Sequence, residues 1–316
     1  MARSDKLNSG ETEVDRLDYA LALHGGAGSE TLFLGRAEKQ QYHACLADTL
    51  KLGKSVLEQG GSSLGAVETV VRALEDDPKF NAGHGSVLNY DGNHVLDACI
   101  MDGRNRACGA VAAVTTVRHP IHLARLVMTE TEHVFLVGDG ADQFAREMRI
   151  ELVDQDFFRT ERRLRGWQRA LNEAQGAEDE NSQHMGTVGC VALDRDGNLA
   201  AGTSTGGRTL QRFGRVGDSP VVGAGTFADN NTCAVSCTGI GERFIQHVVA
   251  YDISALMEYR QLTVGQAVSH LFKSKLPADS GGIIAMDTCG SIAMQFNTPG
   301  MYRAAADSAG RVEIDI

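Results

Sequence analysis

The sequence predicts an α+β fold, in which strands neighbour strands and helices neighbour helices. Strand-like and helix-like stretches come in blocks along the chain, and do not follow the regular alternation of a βαβ protein. The 36 glycines cluster at turns and strand ends, and only 5 prolines interrupt the chain. With 316 residues and 42% hydrophobic residues, the chain can bury a sizeable core.

The first half of the chain is predicted to begin with a strand and two long helices. Ser62 or Ser63 caps the second helix, which follows the Gly60-Gly61 pair. We predict strands over residues 19–23, 94–101, 109–114 and 133–137, and helices over 38–59, 63–74, 119–129, 141–149 and 156–175. We regard residues 150–186 as a charged linker, because its last part, residues 177–185, is acidic and polar.

The second half is predicted to be rich in strands. A hairpin opens it, and the run DRDGN, residues 194–198, supplies the turn. Two further strands and two helices lead to about Leu276. The last four strands are expected at residues 281–287, 291–297, 301–306 and 311–316.

The junction of Gly186 and Thr187 is the most informative point of the sequence. Thr187 has an ordinary interpretation as the first residue of a strand. It also fits a nucleophile that cuts its own chain, because a free N-terminal threonine carries an attacking hydroxyl and an α-amino group that accepts the proton. The alternation predicts that Val188, Cys190 and Ala192 share one face of this strand and that Val191 and Leu193 share the other.

Three later segments could complete such a site. The strand LAAGTSTGG returns Thr205 towards Thr187. In GRVGDSP, Arg215 and Asp218 offer a cation and a carboxylate, which suit the two charges of an amino acid but also suit a salt bridge in a turn. In CTGIGE, the backbone around Gly239 could stabilise an oxyanion or simply begin a helix.

Together these segments resemble the plant-type L-asparaginase / isoaspartyl peptidase family of the N-terminal nucleophile (Ntn) hydrolases. The resemblance covers most of the chain. It implies one domain, residues 1–316, built as a four-layer αββα sandwich and cleaved into residues 1–186 and 187–316. The matching motifs are HGGAG at His24, FNAGHGSVLN at Phe80, LDACIMDG at Leu96, GTVGCVALD at Gly186, TSTGG at Thr203, GRVGDSP at Gly214, TGIGE at Thr238 and FNTPGMYRA at Phe296.

The resemblance implies a chemical role for several matching residues. Thr187 would be the nucleophile, freed by cleavage after Gly186, and Thr205 would contact and tune it. The Thr238 side chain and the Gly239 N–H would form the oxyanion hole. Asn81 would brace the nucleophile region.

The resemblance also implies how the substrate is bound. Arg215 would hold its α-carboxylate, and Asp218 its α-ammonium with help from the Gly241 carbonyl. The full set of implied substrate-binding residues is Arg215, Val216, Gly217, Asp218, Thr238, Gly239, Ile240 and Gly241.

Residues 74–84 match the family's loop around a structural sodium ion. The implied ligands are backbone carbonyls, and no cofactor is expected to take part in catalysis. The residues concerned are Leu74, Glu75, Asp77, Phe80, Ala82 and His84.

The implied reaction is hydrolysis of the side-chain amide of L-asparagine and of the isopeptide bond of β-aspartyl (isoaspartyl) dipeptides, and the sequence does not rank these substrates. The family further implies a dimer of cleaved αβ units. The alternatives are a related threonine hydrolase of the glycosylasparaginase or taspase type, and a poorly cleaving precursor with a binding role.

One segment departs from the family. Residues 208–213 read RTLQRF, and Leu210-Gln211 stand where relatives usually carry Asn-Lys. Arg208 and Arg212 add cations beside the predicted site, where they either favour acidic substrates or are simply solvated.

Composition argues against several other classes of protein. A net charge of −11, with a basic cluster only at residues 159–169, argues against nucleic acid as a partner. The 7 cysteines have no framework spacing, which favours buried free thiols. No segment approaches the ~18 apolar residues of a membrane span, and the polar N-terminal stretch has no apolar core, so we expect no membrane association and a cytoplasmic protein.

Overall fold

The computed structural model describes residues 16–176 and 186–316, and this part of the chain is a mixed α/β structure. Its strands are β1 (Ala20–Ala27), β2 (Leu96–Asp102), β3 (Cys108–Val114), β4 (Phe135–Val137), β5 (Val188–Leu193), β6 (Leu199–Thr205), β7 (Thr226–Ala228), β8 (Cys233–Gly239), β9 (Gly281–Asp287), β10 (Ile292–Phe296), β11 (Met301–Asp307) and β12 (Val312–Asp315). Its α-helices are α1 (Arg36–Glu58), α2 (Ser63–Asp76), α3 (Pro120–Glu130), α4 (Gly138–Glu147), α5 (Gln155–Phe158), α6 (Glu161–Gly176), α7 (Gly241–His247), α8 (Val249–Arg260) and α9 (Val264–Ser274), and a 3-10 helix spans Ser29–Phe33.

The described strands form two sheets. The larger sheet has the order β12-β11-β1-β5-β6-β2-β3-β4, and the smaller has the order β10-β9-β8-β7. Neighbouring strands are antiparallel except for β3 and β4, which are parallel. Consecutive strands are often partners, as the predicted α+β class requires.

The two sheets contact each other, and each also contacts helices. Strands β8 and β9 pack against β1, β5 and β6 of the larger sheet. Helices α1, α2 and α3 contact the larger sheet, whereas α8 and α9 contact the smaller one. None of the helices in residues 16–176 and 186–316 combines the length and apolarity needed to cross a membrane.

Strand β5 is buried on both faces, and its alternation is as predicted. Val188, Cys190 and Ala192 belong to the hydrophobic cluster that includes the buried residues of α1 to α3. Val191 and Leu193 belong to the cluster that includes β8, β9 and the helices α7 to α9. The start of β5, and with it Thr187, is therefore held by packing on both sides.

Local signals in the sequence explain several element boundaries. Ser62 Oγ accepts a hydrogen bond from Gly65 N at 3.1 Å, so Ser62 is the N-cap of α2. The turn between β5 and β6 is closed by the bond from Asp194 N to Asn198 O, at 3.0 Å. Gly197 in this turn has a φ of +84°, which favours glycine.

The helix predicted over residues 156–175 is wrong as one element, because α5 and α6 are separate. Thr160 starts the second helix, with its Oγ1 accepting from Arg163 N at 3.2 Å. Phe158 ends the first helix and is fully buried. The predicted linker at residues 150–186 is thus largely helical up to residue 176, and residues 177–185 lie outside the described part of the chain.

The segment after β8 contains three helices, where two were predicted. Val248, with a φ of +48°, separates α7 from α8. In the first turn of α8, two backbone N–H groups donate to carbonyls of a loop instead of to carbonyls of α7. Ala250 N binds Ala224 O at 3.1 Å, and Tyr251 N binds Gly223 O at 2.8 Å. The loop before β7 therefore fixes the position of this break.

Candidate active site

Thr187 lies at the start of β5, buried beside Thr205 at the end of β6. The hairpin pairs Val188 with Ser204, so the two threonines become neighbours. The Thr187 hydroxyl donates to Thr205 Oγ1 at 3.2 Å, and the Thr205 hydroxyl donates to the carbonyl oxygen of Gly186 at 3.2 Å. One hydroxyl thus contacts both the predicted nucleophile and the carbonyl at the predicted cleavage site.

Asn81 supplies a second donor to the Gly186 carbonyl. Its Nδ2 lies 2.7 Å from Gly186 O and 2.9 Å from Gly207 O. Its Oδ1 accepts from Val87 N at 2.9 Å, which fixes the orientation of the side-chain amide. The carbonyl at the Gly186–Thr187 junction therefore accepts two hydrogen bonds, one from Asn81 and one from Thr205.

His24, in the interior of β1, contacts the backbone carbonyl of Thr187. Its Nδ1 lies 2.9 Å from Thr187 O, and its Nε2 lies 2.9 Å from Ser236 Oγ. Full burial lowers the pKa of His24 to about 3, outweighing the bond to Thr187, so the ring is neutral. Since a carbonyl only accepts, Nδ1 donates to Thr187 and Nε2 accepts from Ser236.

Gly26 leaves room for the backbone at the junction. With a φ of +113°, it would carry a Cβ only 3.0 Å from Gly186 Cα and 3.3 Å from Thr187 N. The HGGAG motif thus brings its backbone against the Gly186–Thr187 bond, and a side chain at Gly26 would displace it.

Arg215 and Asp218, on the loop between β6 and β7, lie beside Gly241, the first residue of α7. A Cβ at Gly241 would lie 2.8 Å from Arg215 Nη2 and 3.0 Å from Asp218 Oδ1, so a glycine is needed for this approach. The Arg215 guanidinium binds Glu242 with both branches, at 2.9 and 3.1 Å. Asp218 is 3% exposed, and its Oδ2 has no hydrogen-bond partner among the described residues.

Two buried carboxyls at this site have unusual pKa values. Burial raises the pKa of Asp218 to about 7, although its own backbone N–H and Arg215 act in the opposite direction. Burial raises the pKa of Asp97, in β2, to about 6, against the effects of Ala113 N, Arg215 and Gly217 N. Asp97 Oδ2 is also unpaired within the described residues. Buried carboxyl oxygens without donors suit a cationic ligand group.

Gly239 and Thr238 end β8 close to the same site. Gly239 has a φ of +146°, and a Cβ there would lie 2.2 Å from Ser280 O. Thr238 is fully buried, and its Oγ1 accepts from Ala27 N at 3.4 Å. The N–H of Ile240 is already bonded to Ser280 O at 2.8 Å.

Most of the predicted catalytic and substrate-binding residues line a narrow cleft. The space between its walls is about 10 Å³, which is room for about one water molecule. Val216, Thr238, Ile240 and Gly241 do not form its wall, although Gly241 touches Arg215 and Asp218. The wall consists of Gly186, Thr187, Thr205, Gly207, Arg208, Arg215, Gly217, Asp218, Ser219 and Gly239.

The sequence alone does not predict a role for His24 or Asp97. Each belongs to a motif that carried the family resemblance, HGGAG or LDACIMDG. The signal for a role is a polar residue within an otherwise apolar strand, since both side chains are almost fully buried. His24 is 163 residues away from Thr187, so the contact arises only from the pairing of β1 with β5.

The chain is similar in sequence to several known proteins. A sequence profile of the asparaginase family matches residues 17–316. The isoaspartyl peptidase of Escherichia coli (strain K12) is 47% identical over 293 residues, covering 90% of this chain and 91% of its own length. The probable isoaspartyl peptidase/L-asparaginase 2 of Arabidopsis thaliana is 40% identical, covering 94% and 98% respectively. The isoaspartyl peptidase/L-asparaginase of Rattus norvegicus is 41% identical, covering 95% and 89%. The chain therefore belongs to the asparaginase family.

Proposed function

We propose that this chain is an autoprocessing amidohydrolase that cleaves the side-chain amide of L-asparagine and the isopeptide bond of β-aspartyl dipeptides. Its relatives carry the names isoaspartyl peptidase and L-asparaginase. The observation that carries the proposal is the contact of Thr205 with both the Thr187 hydroxyl and the Gly186 carbonyl. This contact suits a threonine that first cuts its own chain and then attacks a substrate.

In the maturation step, Thr187 Oγ attacks the carbonyl carbon of Gly186. The negative charge that develops on the carbonyl oxygen is stabilised by Asn81 Nδ2 and the Thr205 hydroxyl, which already contact it at 2.7 and 3.2 Å. As the acyl group moves from nitrogen to oxygen, the hydroxyl proton passes to the Thr187 nitrogen, and water then hydrolyses the resulting ester. This frees the α-amino group of Thr187.

The mature enzyme uses the same hydroxyl on its substrate. The freed amine, with an unperturbed pKa of about 7.7–8.0, accepts the hydroxyl proton. Thr187 Oγ attacks the side-chain carbonyl, and the oxyanion lies at Thr238 and Gly239. The Thr187 amine then gives the proton to the leaving nitrogen, which departs as ammonia from L-asparagine or as the amine of the second residue from a dipeptide. Water then hydrolyses the β-aspartyl ester and releases aspartate.

The α-carboxylate and α-ammonium of the substrate bind to residues of opposite charge in the cleft. Arg215 binds the α-carboxylate through its positive charge and its Nη1 group, since Nε and Nη2 already bind Glu242. The α-ammonium binds Asp218, whose buried Oδ2 has no partner among the described residues. Val216, Gly217 and Ile240 belong to the same two segments of the chain as these binding residues. Gly241 offers its carbonyl beside Asp218.

The uncut chain is inactive for two reasons. The nitrogen of Thr187 is an amide before cleavage and cannot act as a base. The cleft also leaves only about 10 Å³ while Gly186 forms part of its wall. Departure of Gly186 after cleavage makes room for the substrate.

We also propose that residues 74–84 hold a structural sodium ion. The loop is closed by the bond from His84 N to Glu75 O, at 2.7 Å. The carbonyl oxygens of Phe80, Ala82 and His84 accept no hydrogen bond from the described residues, so they fit a hard cation. Leu74, Glu75 and Asp77 would add further carbonyls. The ion would stiffen the loop that carries Asn81.

At the level of the whole protein, we propose a four-layer αββα sandwich of the Ntn type and a dimer of cleaved αβ units. The contacts between the two sheets, and of each sheet with its helices, support the layered arrangement. The 7 cysteines are free, which is consistent with the reducing conditions of the cytoplasm as its location.

The decisive experiment is the intact mass of the purified protein over time, with N-terminal sequencing of the fragments. Two fragments, the smaller beginning Thr-Val-Gly-Cys, are expected, together with hydrolysis of L-asparagine and of a β-aspartyl dipeptide. Thr187→Ala should remain one chain and hydrolyse neither substrate. A wild-type chain that stays whole would overturn the proposal and favour the alternative of an inert precursor.

Asn81→Asp provides a matched variant for the maturation step. It keeps the size of the side chain and an acceptor for Val87 N, but it removes the amide donor to Gly186 O. Loss of one oxyanion donor typically slows such a step about 10²–10³-fold. Cleavage of this variant at the wild-type rate would exclude Asn81 as an oxyanion donor.

A further inference from the structure

The cleft carries a second guanidinium that the proposed reaction does not use. Arg208 forms part of the wall together with Thr187, Thr205 and Arg215. Its backbone follows Gly207, whose N–H donates to Thr205 Oγ1 at 3.1 Å, and its guanidinium lies 3.8 Å from Glu242. Its side chain is 31% exposed, so it is accessible to a ligand that enters the cleft.

The loop that carries Arg208 is well ordered by its own contacts. Gln211 Oε1 accepts from Arg208 N at 2.9 Å, and Gln211 N donates to Arg208 O at 3.1 Å. Leu210 N binds Leu88 O, and Tyr90 N binds Gln211 O, both at 3.0 Å. The Leu210-Gln211 pair, which departs from the family, is therefore the part of the loop that anchors Arg208.

Glycine at position 207 is needed for this arrangement. Its φ is +75°, and a Cβ there would lie 2.2 Å from Gln211 Oε1. The backbone turn at Gly207 and the Gln211 side chain together fix the path of the backbone between Thr205 and Arg208.

Arg208 and Arg215 share one carboxylate, Glu242. Glu242 is the carboxylate that contacts both guanidiniums, but it gives both oxygens to Arg215 and lies 3.8 Å from Arg208 Nη1. Burial raises the pKa of Glu242, but the bonds and charge of Arg215 and the charge of Arg208 outweigh it, so the pKa is lowered. An ionised Glu242 neutralises one of the two guanidiniums.

The two substrate classes differ by one negative charge. L-Asparagine has one carboxylate and one ammonium, which Arg215 and Asp218 satisfy. A β-aspartyl dipeptide has a further carboxylate on the residue that leaves, and this carboxylate lies next to the bond that Thr187 attacks. A second guanidinium in the wall of the cleft, which Glu242 approaches only to 3.8 Å, is complementary to that additional charge.

We propose that Arg208 binds the free α-carboxylate of the leaving residue, so that this enzyme favours β-aspartyl dipeptides over L-asparagine. The inference rests on the proposed function and specifies the substrate class of the same site. It assigns to the unusual 208–213 segment a role in specificity.

The test compares three substrates on the matured enzyme: L-asparagine, β-Asp-Leu, and β-Asp-Leu with its C-terminal carboxylate converted to an amide. Arg208→Gln should lower kcat/KM for β-Asp-Leu roughly 10- to 100-fold, the range expected for loss of a charge-assisted hydrogen bond. The same variant should change the other two substrates by less than about 3-fold. Arg208→Lys, which keeps the charge without the fork, should fall between.

Arg212→Gln is the control for a cation lost from the same loop. The Arg212 guanidinium stacks on the Tyr90 ring at 3.4 Å from its centroid, and Arg212 is not part of the cleft wall. It should not alter the preference among the three substrates. Intact mass verifies that each variant has been cleaved before it is assayed.

The outcomes separate the inference from the function on which it rests. Equal losses on all three substrates, or no loss on any, would overturn the assignment of Arg208 while the enzyme itself remains an amidohydrolase. A wild-type chain that neither matures nor hydrolyses any of the three would overturn the proposed function and this inference with it. If Arg208→Gln is not cleaved, an unchanged ratio of β-Asp-Leu to amide in Arg208→Lys overturns the assignment.

Discussion

At the residue scale, the site is built from polar groups that are buried before any substrate arrives. The Asp218 carboxyl is buried close to its own backbone N–H and to Arg215. Its Oδ2 is unpaired among the described residues. A carboxyl in such a place is difficult to ionise, because burial penalises the charged form. The arrival of an ammonium group supplies the missing partner.

Asp218 should make substrate binding depend on pH. Its pKa is raised to about 7, so the unliganded carboxyl gains a proton as the pH falls through 7 and no longer attracts an ammonium. We expect KM for L-asparagine to rise about tenfold per pH unit below 7. The titration of the Thr187 amine should affect kcat, so steady-state kinetics from pH 5 to 8 separate the two groups.

Asp97 and Asp102 provide a matched pair of variants for this prediction. The charges facing Asp218 are Arg215, which lowers its pKa, and Glu242 and Asp97, which raise it. Asp97→Asn should therefore move the inflection in KM to lower pH. Asp102 lies at the other end of β2 and pairs with Arg104, so Asp102→Asn should leave the inflection in place. A KM that is constant over this pH range would contradict the assignment of Asp218.

At the scale of elements, the features that could be predicted from the sequence are those encoded by local signals. The caps, the hairpin turn and the alternation along β5 depend on neighbouring residues, so Ser62 and Gly197 could be interpreted without the structure. The break at Val248 depends on carbonyls of a loop more than twenty residues earlier, and its apolar spacing continues through the break. The pairing of His24 with Thr187 likewise arises from strand order, which no local pattern contains.

Val248 is a point of backbone strain that a substitution should relieve. Its φ of +48° and ψ of 49° are left-handed, a conformation that costs a side chain other than glycine or asparagine about 1–2 kcal/mol and is least suited to β-branched residues. Val248 is 46% exposed, so little packing is lost on replacement. Val248→Asn should raise the free energy of unfolding by about 1 kcal/mol, seen as a rise of about 2 °C in the thermal midpoint.

Val134 is the control for the effect of asparagine itself. It is 57% exposed and its φ is negative. Val134→Asn should give no gain in thermal midpoint. If both variants shift the midpoint equally, the backbone of Val248 is not the source of the effect.

At the scale of the whole molecule, the larger sheet interleaves the two predicted products of cleavage. Residues 1–186 contribute β1 to β4, and residues 187–316 contribute β5, β6, β11 and β12. In the strand order β12-β11-β1-β5-β6-β2-β3-β4, three of the seven junctions join one product to the other. Cleavage at Gly186 precedes β5 and breaks no strand pairing.

The two products should therefore behave as one folded unit. We expect two bands on a denaturing gel, but a single peak in native size-exclusion chromatography, at the volume of the uncut Thr187→Ala chain. Separation would expose both edges of β1 and the paired edges of β5, β6 and β11, which are templates for aggregation. Unfolding should accordingly release both products in one transition. Elution of the products as separate folded species would contradict this, because it would require β1 to leave the centre of the sheet without loss of structure.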